Sequence, residues 1–215
     1  QKTISLLNAN PNAMFCVGGA ANYFEDSPED MVPAYGQAHS QFFNMSAKSR
    51  AKAMFLEYPQ PILLQSTVFR SAALRSIGGW NKNIVLDDYP TFIQLLKRFP
   101  KNGKDFYYCP EVLVVKYRQH ESNSFKNVQR QFFMVKQMLD SLAPSDVYPE
   151  ALGKIIAMHF ITAIKLKRFK VAFAFFNNAD ALTYLYASKY FVFYVVRFLK
   201  LKGANLFTSL RNGFH

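Results

Sequence analysis

At 215 residues the chain is long enough for one sizeable core, or for one domain with an appendage. Hydrophobic residues make up 50% and charged residues 19%, which excludes a disordered, collagen-like or low-complexity chain. The formal charge of +12 comes from 26 Lys and Arg against 14 Asp and Glu, and aromatic residues reach 16%, with a single Trp.

Residues 1–10 read as the end of a helix, stopped by Asn10-Pro11-Asn12. Residues 14–24 are apolar, contain Gly18-Gly19 and read as a strand, and the acidic, Pro-containing stretch 25–33 reads as a loop. Residues 40–57 are helical in composition, with Pro59 and Pro61 ending the run. Residues 62–69 form a second expected strand, followed by a short helix over 71–77 that Gly78-Gly79 breaks. After a loop over 80–86, a helix begins at Asp87, with Phe92, Leu95, Leu96 and Phe99 on one face of a 3.6-residue period. Lys101-Asn102-Gly103-Lys104 is a turn, and two short strands, 106–109 and 112–117, flank Pro110. Residues 124–142 and most of the remaining tail are expected to be helical. The alternation of strand and helix over the first part predicts an α/β fold, with a change of character near Ala143-Pro144-Ser145.

Cysteine use is sparse. Cys16 and Cys109 have no CxxC spacing, so neither a disulfide framework nor a cysteine zinc site is built from them, and buried free thiols are expected. Four histidines in all argue against a metal-rich enzyme. The opening Gln1-Lys2-Thr3 has neither an initiator Met nor a leader pattern, so a processed, truncated or fragmentary chain is expected.

The positive charge is unevenly placed. Residues 1–125 hold 13 basic and 10 acidic side chains, whereas residues 151–215 hold 10 basic ones against the lone Asp180. In that tail the cations of Lys165-Leu166-Lys167-Arg168-Phe169-Lys170 are followed by Lys189, Arg197, Lys200 and Lys202, between apolar stretches at 171–176 and 190–196. Nucleic acid and an anionic membrane surface both attract such a pattern; the long apolar stretches favour the membrane, and nucleic acid is the weaker expectation. No run reaches the roughly 20 apolar residues needed to span a bilayer, so the tail is expected to lie on the surface. Solvated cations on helices packed against the rest of the fold are the plainer alternative.

Two constellations bear on chemistry. Asp87-Asp88 lies where a loop enters a helix, with Pro90 in the first turn. Such carboxylates serve as caps, and a carboxylate held at a helix N-terminus also suits a general base. His120 follows a strand within Tyr117-Arg118-Gln119-His120-Glu121-Ser122-Asn123-Ser124, a setting for a surface histidine or for a metal or phosphate ligand.

Taken in order, Ser66-Thr67-Val68-Phe69-Arg70, Ile77-Gly78-Gly79-Trp80, Leu86-Asp87-Asp88-Tyr89 and Tyr117-Arg118-Gln119-His120 with Asn123 and Ser124 resemble the C-terminal half of the catalytic domain of family 2 glycosyltransferases. The resemblance implies a GT-A (Rossmann-like) nucleotide-sugar transferase domain whose acceptor side spans 1–125 and whose N-terminal half is absent, followed by a basic, aromatic helical region over 126–215. It implies an inverting transfer in which Asp88 is the base that deprotonates an acceptor hydroxyl. Asp87, Trp80, Gly79 and Arg70 would border the acceptor, with Trp80 stacking on a sugar ring. His120 would help hold a divalent metal (Mn or Mg) and Arg118 the diphosphate. The family carries that metal mainly on an Asp-X-Asp motif, which does not occur in this chain. The implied partners are a nucleotide sugar and a saccharide or lipid-linked acceptor in surface-polysaccharide synthesis. The implied location is cytoplasmic, peripheral on the inner face of the plasma membrane. A non-catalytic basic binding module and a degenerate transferase stay open beside this reading.

Overall fold

A computed structural model describes residues 1–24, 27–56, 64–86, 88–119 and 127–212, with side chains left aside at 27–29, 64, 119, 178 and 199–212. Two compact units divide the chain, one of residues 1–126 with 140–142, the other of 127–139 with 143–215.

The first unit is α/β, with a mixed four-stranded sheet. Its central strand β1 (Phe15–Phe24) runs parallel to β4 (Phe106–Gln119) along its whole length. The other edge of β1 is shared by two antiparallel strands, β3 (Thr67–Phe69) beside Phe15–Val17 and β2 (Ser27–Pro33) beside Ala21–Phe24. The sheet is covered on both faces at the start of β1, which is why that strand reads as an unbroken apolar run. On one face Phe15 stacks on Phe106 at 4.9 Å between ring centroids, and Phe43 stacks on Tyr108 at 4.2 Å. On the other, Cys16 packs with Leu7 and Ala13, and with Val68, Tyr107 and Cys109 beside them. The period of two along the strands sorts these side chains between the faces.

Opposite the ten residues of β1, β4 has fourteen, and the excess bulges between Cys109 and Val115. The bulge lies against Gly18 and Gly19: a Cβ on Gly19 would run into the carbonyl of Pro110, and one on Gly18 into Val114. Absence of a side chain at both positions is what lets the two backbones approach. The two short strands expected around Pro110 are therefore one strand, with Pro110 inside the bulge where no ladder donor is needed.

Four further expectations are corrected. The stretch read as an acidic loop over 25–33 contains β2, because an edge strand tolerates Pro28 and Pro33 where a central one would not. The helix expected over 40–57 is two, α2 (Gln37–Asn44) and α3 (Ala47–Leu56), separated at Met45 in extended backbone. Arg50 sustains that break. Its buried guanidinium donates to the carbonyls of Phe42 (3.3 Å), Phe43 (3.0 Å) and Met45 (2.6 Å) at the end of α2, and to that of Pro100 (2.7 Å) after α5 in the chain. The strand expected over 62–69 is a 3-10 turn, Leu64–Ser66, leading into the three residues of β3. The C-terminal helix expected from 124 is described from Val128, with Asn127 as its cap. Pro59 and Pro61 lie outside the described residues.

The second unit is helical: α6 (Val128–Leu142), α7 (Tyr148–Lys165), α8 (Phe169–Ala174), a 3-10 turn (Phe175–Asn178) and α9 (Ala181–Asn212). Asn127 caps α6 by accepting from the Arg130 amide at 3.1 Å, and Asp180 caps α9 by accepting from the Thr183 amide at 2.7 Å. That bond holds the Asp180 carboxyl below the usual carboxylate range. His159 meets the rings of Phe132 and Phe175 edge-on at 5.7 and 6.1 Å between centroids, and burial pushes its imidazole below the ordinary value. Small residues on α7 (Ala151, Gly153, Ala157 and Ala163) let neighbouring helices come close. Among the described residues, no helix is long and apolar enough to cross a membrane.

Candidate functional site

The site expected from sequence is assembled by α4 (Ser71–Ser76), the loop after it and α5 (Asp88–Arg98). Gly78 (φ 81°) and Gly79 (φ 73°) both take left-handed backbone, which glycine adopts without the Cβ clash other residues meet. Their amides close on the Arg75 carbonyl (3.1 Å) and the Leu74 carbonyl (2.8 Å), ending α4 as a glycine cap does. The turn delivers Trp80 to the surface, where its side chain is 49% exposed. The loop then folds on itself through Asn81, which accepts from the Asn83 amide at 2.9 Å, and Ile84 anchors it in the core.

Asp88 opens α5 as the acidic residue of its first turn and is half-buried. The exposed amides of a helix start and the helix dipole both favour a negative charge there. The helix is held by Phe92, Leu95 and Leu96, whose spacing follows the expected face, together with Ile93. Phe92, one turn on from Asp88, meets Phe15 and Phe69 at 6.5 and 6.4 Å between centroids. The carboxylate is thus carried on a rigid element seated on the central strand. Phe15 is the first residue of β1 and pairs with Phe69 of β3 and with Phe106 at the start of β4, so the first turns of α5 are seated beside the amino ends of β1 and β4.

Arg118 lies near the end of β4, opposite Tyr23, and is exposed. Arg70 is anchored within the fold. Its Nε donates to the Ala13 carbonyl at 2.8 Å and its Nη2 to the Leu7 carbonyl at 2.6 Å, which fastens the C-terminal end of α1 (Lys2–Ala9) to the sheet. Asn10 completes this end by donating to the Leu6 carbonyl (2.8 Å) and accepting from the Tyr107 hydroxyl (2.8 Å). Arg70 is therefore a structural clamp, whatever acceptor contact its remaining donors make. Asp87 and His120 lie outside the described residues. Among the described residues no three His, Cys, Asp or Glu side chains come together as a metal site, so the metal expectation finds no donor set there.

A buried polar group in the same unit joins Ser66 to Tyr35 and His39, two residues that the sequence reading did not single out. The Tyr35 hydroxyl pairs with Ser66 Oγ at 2.6 Å, and His39 Nδ1 accepts from the Gly36 amide at 3.1 Å. His39 Nε2 and Thr67 Oγ1 are buried without a hydrogen-bond partner among the described residues. Burial also lowers the His39 pKa from the ordinary value. Nothing in the local sequence marks these residues, because Tyr35 and Ser66 are brought together across 31 positions.

Comparison of the chain with models of known protein families, with characterised proteins and with solved structures finds no match.

Proposed function

We propose that the first unit is the acceptor side of an inverting, GT-A-like glycosyltransferase, in which Asp88 takes the proton from an acceptor hydroxyl as that oxygen attacks the anomeric carbon of a nucleotide sugar. The observation that carries the reading is the placement of Asp88: a carboxylate in the first turn of α5, directly after the loop that Gly78-Gly79 turn outward with Trp80 on its surface. A base of this kind needs an ionised carboxylate on a rigid support beside a face that receives a sugar. The helix start favours the charge, the Phe92 anchor gives the rigidity, and an exposed indole gives an apolar face for a pyranose ring. Arg118 stands opposite Tyr23, at the other end of β1 from the Phe15 that seats α5, so its diphosphate role rests on the resemblance alone. The acceptor is a saccharide or a lipid-linked sugar of surface-polysaccharide synthesis, and the enzyme works at the inner face of the plasma membrane.

The test is transfer of labelled sugar from a nucleotide-sugar donor by the native gene product carrying Asp88→Asn. General-base catalysis contributes roughly 10²–10⁴-fold, so turnover is expected to fall by about that factor while the helical signal is unchanged. Turnover equal to the parent sinks the assignment. A second reading, a binding module without catalysis, is favoured by the basic, apolar surface of the helical unit, and it predicts that this substitution is silent. A degenerate transferase predicts no turnover in either protein.

A further inference from the structure

From the groove between α7 and α9 we infer a seat for an anionic phospholipid, by which the helical unit docks on a negatively charged bilayer. The groove encloses about 320 Å3, near the lower end of the roughly 300–1,000 Å3 found for small-molecule sites. Its walls are Met158 and Ile161 of α7 with Tyr194 and Phe198 of α9, and its two cations are Lys165 and Arg197. Met158, Ile161 and Lys165 recur at helical spacing along one side of α7, while Tyr194 and Phe198 are one turn apart on α9. The Lys165 ammonium lies 5.3 Å from the centre of the Phe198 ring, so one cation is held directly over the apolar wall.

Neither Lys165 nor Arg197 has a carboxylate partner among the described residues. The acids at hand are engaged elsewhere: Asp180 caps α9, and Glu150 pairs with Lys189 at 3.3 Å. Two unneutralised cations beside an aliphatic and aromatic trough match a phosphodiester with an acyl chain attached. A free phosphate has no use for the trough, and a nucleic acid would want flat rings where Met158 and Ile161 stand. The outer side of α9 continues the apolar surface, with Leu185 and Val192 exposed at 66% and 60% on one stripe. Such apolar positions enter the acyl boundary of a bilayer. The inference does not depend on the transfer reading, since an Asp88→Asn chain is expected to bind vesicles as the parent does.

The test is co-sedimentation of the full chain with phosphatidylglycerol-containing vesicles and with pure phosphatidylcholine vesicles at the same salt concentration. Binding is expected to the first and not to the second. A Lys or Arg near an anionic surface is worth about a fivefold gain in partitioning, so Lys165→Gln with Arg197→Gln is expected to weaken binding about thirtyfold. Lys48→Gln with Lys104→Gln removes the same charge from the first unit and is expected to change binding far less. Phe198→Ala keeps every charge and is expected to weaken binding by opening the trough, which keeps the test decisive if the double variant fails to fold. Equal losses from the two double variants would overturn the seat in favour of diffuse attraction. Tighter binding to a single-stranded oligonucleotide than to the anionic vesicles would assign the surface to nucleic acid. A dimer in vesicle-free solution that the groove substitutions dissociate would assign it to a second copy of the chain.

Discussion

Gly153 tests how closely the helices of the second unit are packed, because two opposed effects meet at one position. In an exposed helix, Gly→Ala stabilises by about 0.8–1.0 kcal/mol through backbone entropy. Here a Cβ would stand 2.7 Å from Tyr186 Cβ, 2.8 Å from the Ala187 nitrogen and 2.9 Å from the Thr183 oxygen. Two of these three are backbone atoms of α9, which cannot rotate aside as a side chain would, so α7 and α9 must separate. Overpacking of this kind costs roughly 1–3 kcal/mol. With backbone in the way the upper half of that range applies, and the net expectation for Gly153→Ala is a loss of about 1–2 kcal/mol after the propensity gain. For a unit of this size each kcal/mol moves the midpoint by about 4–8 °C. Thermal melting followed at 222 nm reads it directly, and Gly153→Val should lose more. A Gly153→Ala protein that melts higher than the parent would refute the argument, since only a solvent-facing glycine behaves that way.

Two further expectations concern the first unit. Arg50→Met removes the donors for four carbonyls at once and is expected to destabilise by about 3 kcal/mol or more, since a hydrogen bond to a charged group contributes about 1.5–3 kcal/mol; urea unfolding checks it, and a loss under 1 kcal/mol (about the net worth of one neutral hydrogen bond) would mean the carbonyls find other partners. Burial, with the Cys109 thiol beside it, pushes the Cys16 thiol up to about 12. The folded thiol keeps its proton while an unfolded one ionises above 9.0, so this group's stabilising contribution is complete below that pH and is lost between there and about 12. Iodoacetamide at pH 8 should accordingly label Cys16 far more slowly in the folded than in the unfolded chain, read by mass spectrometry, and equal rates would overturn the burial account.

What could be read from the chain itself was the local chemistry. The period of α5 named its buried face, the apolar run named β1, and Gly78-Gly79 named the end of α4, because each of those signals is written within a few residues. Asp88 was legible in the same way, as an acid at a helix start. What could not be read depends on distant partners. The acceptor role of Arg70 rested on the resemblance, and nothing beside it in the chain marks a guanidinium that reaches carbonyls 57 and 63 positions earlier. The break between α2 and α3 carries neither Pro nor Gly and is sustained by Arg50, itself counted within a helical stretch. β2 was hidden because its prolines and acids describe a loop everywhere except at the rim of a sheet. The apolar stretches of the tail were visible, but the groove that pairs Lys165 with Phe198 exists only once two helices lie side by side.

The bulge in β4 separates the length of that strand from its register. Three of its extra residues fall between Cys109 and Leu113 and one between Leu113 and Val115, yet from Ala20 opposite Val115 to Phe24 opposite Gln119 the two strands pair one for one. Residues paired across neighbouring strands share a face, so Arg118 takes its orientation from Tyr23 opposite it and not from the number of residues that precede it. A residue gained or lost between Cys109 and Val115 is absorbed where the chain already leaves the ladder, whereas the same change after Val115 slips the register and turns every following side chain to the other face. Tolerance to length is thus confined to one short stretch of a strand that is otherwise fixed residue by residue.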